Sequence, residues 1–119
     1  MIKGIGIDIV DVKRFEGVVS RHGERFIGRV FTEGESLYCK KKHRPGIHFA
    51  ARFAAKEAVI KAIGRTIPFR DIEVIREEAG RPLLNVRGYE DDCVWHLSIT
   101  HDGNYTLAYV VMEVNIEAG

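Results

Sequence analysis

Three residues in this 119-residue sequence have types and spacing suited to phosphate chemistry: Asp8, in an apolar segment, and Glu57 with Lys61 four positions beyond it. Two carboxylates on separate elements are the usual minimum protein contribution to a Mg²⁺ that keeps waters and takes its other oxygens from substrate phosphates. Gly4 and Gly6 ahead of Asp8 leave backbone room for something bulky to approach. Arg52, Lys56 and Lys61 stand in the same stretch as Glu57 and can neutralise phosphate oxygens. Plainer readings exist for each. Asp8 can be a turn or capping aspartate, and Glu57 with Lys61 an ordinary i,i+4 pair worth about 0.2–0.5 kcal/mol. Single cations are most often solvated surface charges. His101 follows the segment Trp95 to Thr100 and precedes Asp102-Gly103. It is either a hydrogen-bonded structural histidine or a group beside a sheet crevice. Ser98, Thr100, His101 and Asp102 do not make a hydrolase triad, because neighbours along one strand do not converge and no nucleophile elbow is present. Walker and G-x-G-x-x-G motifs are also missing.

The elements that must position these groups follow from periodicity. Residues 3–10 alternate, with Ile5, Ile7 and Ile9 on one side and Gly4, Gly6 and Asp8 on the other, which predicts a strand. Asp11 can cap a helix in which Val12, Phe15 and Val18 or Val19 recur at helical spacing, with Lys13, Arg14, Ser20 and Arg21 on its polar side. Thr32-Glu33-Gly34-Glu35 has capping-box order and starts a second helix through Leu37 and Tyr38, which residues 43–46 should end. From Ile47 to Ile63 the chain is rich in alanine and free of glycine and proline, which predicts a long helix stopped by Gly64. On a wheel of about 100° per residue, His48, Arg52 and Lys56 form one stripe. Glu57 and Lys61 project among Ala50, Phe53, Ala54 and Ile60, where the pattern asks for burial. Residues 71–76, 82–86, 94–100 and 106–114 read as strands, with hairpin turns at 78–81 and 102–104 and a looser turn at 88–92. The prediction is an α+β single domain over residues 1–119, an antiparallel sheet packed with a long central helix.

Composition narrows the classes. Eighteen basic against seventeen acidic residues give a formal charge of +1, which leaves no bulk electrostatic footprint for nucleic acid or an anionic membrane. The N-terminal apolar run is broken by Asp8 and Asp11 and reads as neither a signal peptide nor a spanning segment, so a cytosolic location is expected. Cys39 and Cys93 have no C-x-x-C spacing and are read as reduced thiols rather than zinc ligands.

Three blocks give the chain a likeness that runs almost end to end. They are Gly4-Ile5-Gly6-Ile7-Asp8-Ile9-Val10 with Arg14-Phe15, then Phe53-Ala54-Ala55-Lys56-Glu57-Ala58 with Lys61-Ala62-Ile63-Gly64, and Ser98-Ile99-Thr100-His101. With them the sequence resembles the acyl-carrier-protein synthase family. Two departures stand out: a short loop, Gly64-Arg65-Thr66, where the family has G-T-G and a longer segment, and Thr100 where it often has serine. The resemblance implies a 4'-phosphopantetheinyl transferase fold assembling as a homotrimer, with active sites at subunit interfaces. It implies transfer of phosphopantetheine from coenzyme A to a serine of an apo acyl carrier protein, releasing 3',5'-ADP and serving fatty acid biosynthesis. In that reading Asp8 and Glu57 hold Mg²⁺, and Glu57 and Lys61 are catalytic. Arg52, Lys56, Pro82 and His101 match positions near the phosphates and adenine of coenzyme A, and Arg14 and Arg21 look like the docking surface for the carrier. A metal-dependent diphosphate hydrolase or a non-catalytic module for an acidic protein would use part of the same set.

Overall fold

A computed structural model describes residues 1–77 and 79–115. The chain runs β1 (Ile2–Asp11), α1 (Val12–Val30), α2 (Glu33–Lys40), α3 (Pro45–Ile63), a 3₁₀ turn, β2 (Ile72–Arg76), β3 (Pro82–Val86), β4 (Cys93–Asp102) and β5 (Tyr105–Val114). Strands β1, β5 and β4 form an antiparallel sheet in that order, and β2 pairs with β3 in a separate hairpin. Of the hairpin turn expected at 78–81, Glu78 lies outside the described residues. The flanking residues close the turn through Glu77 N–H to the Arg81 carbonyl at 3.0 Å and a left-handed Gly80.

Asp11 caps α1 by accepting from the Arg14 amide at 3.0 Å, and Thr32 with Glu35 forms the reciprocal capping box at the start of α2. The first helix runs further than its periodicity showed, through a break at Gly23, where φ is +60°. The third starts at Pro45, two residues earlier than expected. Proline lacks the amide that would be unpaired at a helix start, and its fixed φ suits that position. Gly64 ends α3 in the left-handed conformation.

Helix α3 lies across the sheet against β1 and β5, and the glycines of β1 permit the approach. A Cβ on Gly4 would sit 1.9 Å from the Ala62 carbonyl oxygen, and one on Gly6 at 1.9 Å from that of Ala58. Two strand residues advance about 6.8 Å while four helical residues advance about 6.0 Å, so strand and helix stay in step. Continuing that register brings Asp8 to the turn of α3 that carries Glu57. Gly6→Ala is expected to push α3 off the strand, destabilising the fold by about 1–3 kcal/mol, as urea denaturation would show. Unchanged stability would mean that this close approach is not required.

The isoleucines of β1 point the other way. Ile5, Ile7 and Ile9 are 58%, 50% and 59% exposed, and Val94 and Tyr109 accompany them on the open face of the sheet. The core lies between the glycine face and the helices: Ala50, Ala54, Ala58 and Val59 of α3, Phe15, Phe31, Ala108 and Val110.

The burial expected around α3 holds for Glu57, which is partly buried, but is reversed for Lys61 and for the Arg52–Lys56 stripe. Lys61 is an exposed side chain, whereas Arg52 and Lys56 are 2% and 0% exposed. Helix α3 is enclosed by β1 and β5 on one side and by α1, α2 and β2 on others. Its charged stripes are therefore sorted by tertiary partners rather than by access to bulk water. Lys56 Nζ pairs with Glu35 Oε1 at 2.7 Å and donates to the Phe69 carbonyl at 2.9 Å and to the Ile72 carbonyl. Glu35 also accepts from the Thr32 amide at 2.9 Å and, through Oε2, from the Val74 amide at 2.8 Å. One buried ion pair thus joins α2, α3 and β2.

Candidate functional site

Asp8 and Glu57 line one cleft of about 550 Å³ at the β1 edge of the sheet. Arg14, Phe15 and Val18 from α1, Phe53 from α3 and Tyr105 from β5 complete it. The Phe15 and Phe53 rings meet at 5.2 Å between centroids and give the cleft an apolar wall. Burial, then the negative charge of Asp8, holds the Glu57 carboxyl above its ordinary pKa, and Lys61 acts against both. Lys61 does not close an i,i+4 pair with Glu57. Its Nζ donates to the Ile7 carbonyl at 2.9 Å and pairs with Asp8 Oδ1 at 3.3 Å. Asp11 adds no free acid, because its carboxylate takes the Arg14 amide and the Asn104 side chain, which together hold its pKa below the usual carboxylate value.

The donor set fits a hard divalent cation. Two carboxylates face one cleft, their mutual repulsion is relieved by the solvent-exposed Lys61, and a cation between them would stabilise both. Among the described residues no group of three or more His, Cys, Asp or Glu side chains converges. A Mg²⁺ here would take its remaining oxygens from water and substrate.

A second polar centre lies on the other side of α3, where Arg52 projects about 180° from Lys61. The Arg52 guanidinium stacks over Tyr38 at 4.2 Å, and Lys42 lies over the same ring at 4.5 Å. Arg52 Nη1 reaches the His48 carbonyl at 3.4 Å, while its buried Nε has no partner among the described residues. Burial first, then Arg52, Lys42, Arg76 and His101, lowers the pKa of His48. Two arginines and a lysine therefore meet at this centre, Arg52 and Arg76 in a cleft that Glu73 and Glu77 also line, and the net arrangement can take an anion. Pro82, the first residue of β3, pairs with Arg76 across the hairpin.

Of the residues singled out from sequence, Asp8, Glu57, Lys61 and Arg14 share the cleft. Arg52 lies in the second centre, His101 acts electrostatically on the His48 ring there, and Pro82 pairs with Arg76 at its border. Arg21 is exposed on α1, seven residues beyond Arg14 and so on the same helical face. Lys56 joins neither centre, because its ammonium is enclosed in the core by Glu35 and two carbonyls. Tyr38, Lys42 and Arg76 were not singled out, and His48 was noted only in the stripe with Arg52. The four come from three elements and the segment after α2, and among them only Tyr38 and Lys42 stand at i,i+4 spacing. His101 on β4 and Asp8 on β1 occupy opposite edges of the sheet, two strand spacings and two residues of register apart, about 12 Å.

Known proteins share this fold and much of this sequence. The 4'-phosphopantetheinyl transferase superfamily matches residues 4–110. The holo-[acyl-carrier-protein] synthase of Halothermothrix orenii is 44% identical, covering 95% of this chain and 98% of its own. That of Oceanobacillus iheyensis is also 44% identical with the same coverage. Among solved structures, the Neisseria meningitidis holo-[acyl-carrier-protein] synthase superposes with a TM-score of 0.86 at 34% identity, covering 95% of this chain and 99% of that one. A Bacillus anthracis holo-(acyl-carrier-protein) synthase in complex with CoA (3',5'-ADP) superposes at 0.85 with 37% identity, covering 97% and 99%. Near-complete coverage in both directions leaves the shared fold and the sequence blocks with one explanation: the chain belongs to the 4'-phosphopantetheinyl transferase superfamily and is a transferase of the acyl-carrier-protein synthase family.

Proposed function

We propose that the chain moves the 4'-phosphopantetheine group of coenzyme A onto a serine of an apo acyl carrier protein, in a Mg²⁺-dependent reaction that supplies carriers for fatty acid biosynthesis. The observation that carries this reading is the pairing of Asp8 with Glu57 in a cleft whose rim is Arg14 and whose wall is aromatic. Bound by Asp8 and Glu57, Mg²⁺ supplies positive charge for the diphosphate oxygens. The serine Oγ bonds to the phosphorus that carries pantetheine, and the bond from that phosphorus to the bridging oxygen breaks. The electron pair leaves with 3',5'-ADP. Glu57, directly or through a water, accepts the serine proton. Lys61 offsets charge on the departing phosphate, within reach of Asp8. Arg52 and His101, with the cations beside them, hold the terminal phosphate and adenine end of coenzyme A, and Pro82 borders that end. Arg14 and Arg21 dock the acidic surface of the carrier.

The two centres face away from each other on α3, and the isoleucine face of the sheet is exposed. Both features support an assembly in which one copy's carboxylate edge meets a neighbour's cationic centre, and the family resemblance makes that assembly a homotrimer. A cytosolic location suits these substrates.

Intact mass of an apo acyl carrier protein, after incubation with this protein, coenzyme A and Mg²⁺, tests the proposal. A gain of one phosphopantetheine, about 340 Da, is expected, and it should vanish with a chelator. An unchanged carrier with coenzyme A consumed would replace the transferase reading by a hydrolase.

A further inference from the structure

The β4–β5 turn does more than connect two strands. Gly103, at φ +59°, turns the chain so that Asn104 meets the first turn of α1. A helix start leaves its first amides without partners inside the helix. Here the Val12 amide donates to the Asn104 backbone carbonyl at 2.8 Å, and the Lys13 amide donates to Asn104 Oδ1 at 3.1 Å. The Arg14 amide is taken by Asp11 Oδ1 at 3.0 Å, and Asn104 Nδ2 donates to that same oxygen at 2.6 Å. Asn104 thus satisfies two of the three amides directly and fixes the carboxylate that satisfies the third. The next residue, Tyr105, lines the Asp8–Glu57 cleft, and so do Asp11, Arg14 and Phe15 from the clamped segment. The pose of α1 above the cleft is therefore set from the far end of the chain, 93 residues from Asp11.

We propose that Asn104 is a positioning residue for carrier recognition: by clamping the start of α1 to the β4–β5 turn, it holds Arg14 and Phe15 at the height over the cleft that the carrier protein requires. This rests on α1 being the docking surface. Small displacements of a positioning element have large kinetic effects, so Asn104→Ala is expected to raise the KM for apo acyl carrier protein roughly tenfold. It should change kcat and the KM for coenzyme A less than about twofold, because Asn104 touches neither carboxylate. Amide hydrogen exchange at Val12, Lys13 and Arg14 should accelerate in parallel. The exchanged pair Asp11→Asn with Asn104→Asp preserves one donor and one acceptor across the contact. It should return both KM and amide exchange toward those of the native chain.

Arg14→Glu serves as the reference. A raised KM in Arg14→Glu with an unchanged KM in Asn104→Ala would overturn the positioning role while leaving the docking surface intact. Unchanged KM in both would overturn the docking surface, and the positioning role with it. A fall in kcat at constant carrier KM would also overturn the proposal, since it would place the effect in the chemistry rather than in recognition.

Discussion

Glu57→Gln is expected to lower kcat roughly 10²–10⁴-fold while the melting temperature stays the same or rises. The substitution keeps shape and most packing but removes the charge that both the proton transfer and the cation need. Stability should not suffer, because the native carboxylate is partly desolvated and faces Asp8, and both effects disfavour its ionised form. Lys61 would be undisturbed, since its partners are Asp8 and the Ile7 carbonyl. Steady-state transfer to apo carrier, with thermal melting on the same preparations, separates the outcomes. A variant that transfers at near the native rate would remove Glu57 from both metal binding and base catalysis. One that loses activity together with its fold would show that the carboxylate is structural instead.

Some of this arrangement was legible in the sequence because it rests on local rules. The caps at Asp11 and Thr32 are written in residue type and spacing, and the alternation of β1 follows from its side chains. Asp8 and Glu57 could be paired because each is an acid whose neighbours set it beside apolar surface. The orientation of α3 was not legible, for a physical reason. A periodicity argument assumes one wet side and one dry side, but α3 is packed by strands and helices around most of its circumference. Which charge is buried then depends on a partner far along the chain. Glu35 announces itself as a capping-box residue, and nothing local shows that its carboxylate also neutralises Lys56. The cationic centre is hidden for the same reason, because Tyr38, Arg52 and Arg76 come together only after the hairpin β2–β3 folds beside α2. Gly4 and Gly6 were legible as space, though what fills the space is the backbone of α3 itself.

Lys56→Met should be the most destabilising of the substitutions considered, and it should leave coenzyme A recognition alone. Removing one partner of a buried ion pair strands the other charge, at a cost of about 3–5 kcal/mol. Glu35 would keep its two backbone donors but lose the ammonium that neutralises it, and the Phe69 and Ile72 carbonyls would lose their donor. For a chain of this length the midpoint should fall by roughly 10–20 °C, measured at fixed protein concentration so that assembly does not contribute. Burial lowers the proton affinity of Lys56, and the Glu35 charge is what opposes this. The double variant Glu35→Gln with Lys56→Met removes both charges and should recover part of the loss, limited because a glutamine oxygen can accept from only one of the Thr32 and Val74 amides. Kinetics well below the midpoint then distinguish a core pin from a phosphate ligand. With Lys56 fully enclosed by protein, the KM for coenzyme A should stay within about twofold of the native chain. A tenfold rise in that constant with unchanged melting would instead place Lys56 at the substrate, and would require α2 to open from α3 when coenzyme A binds.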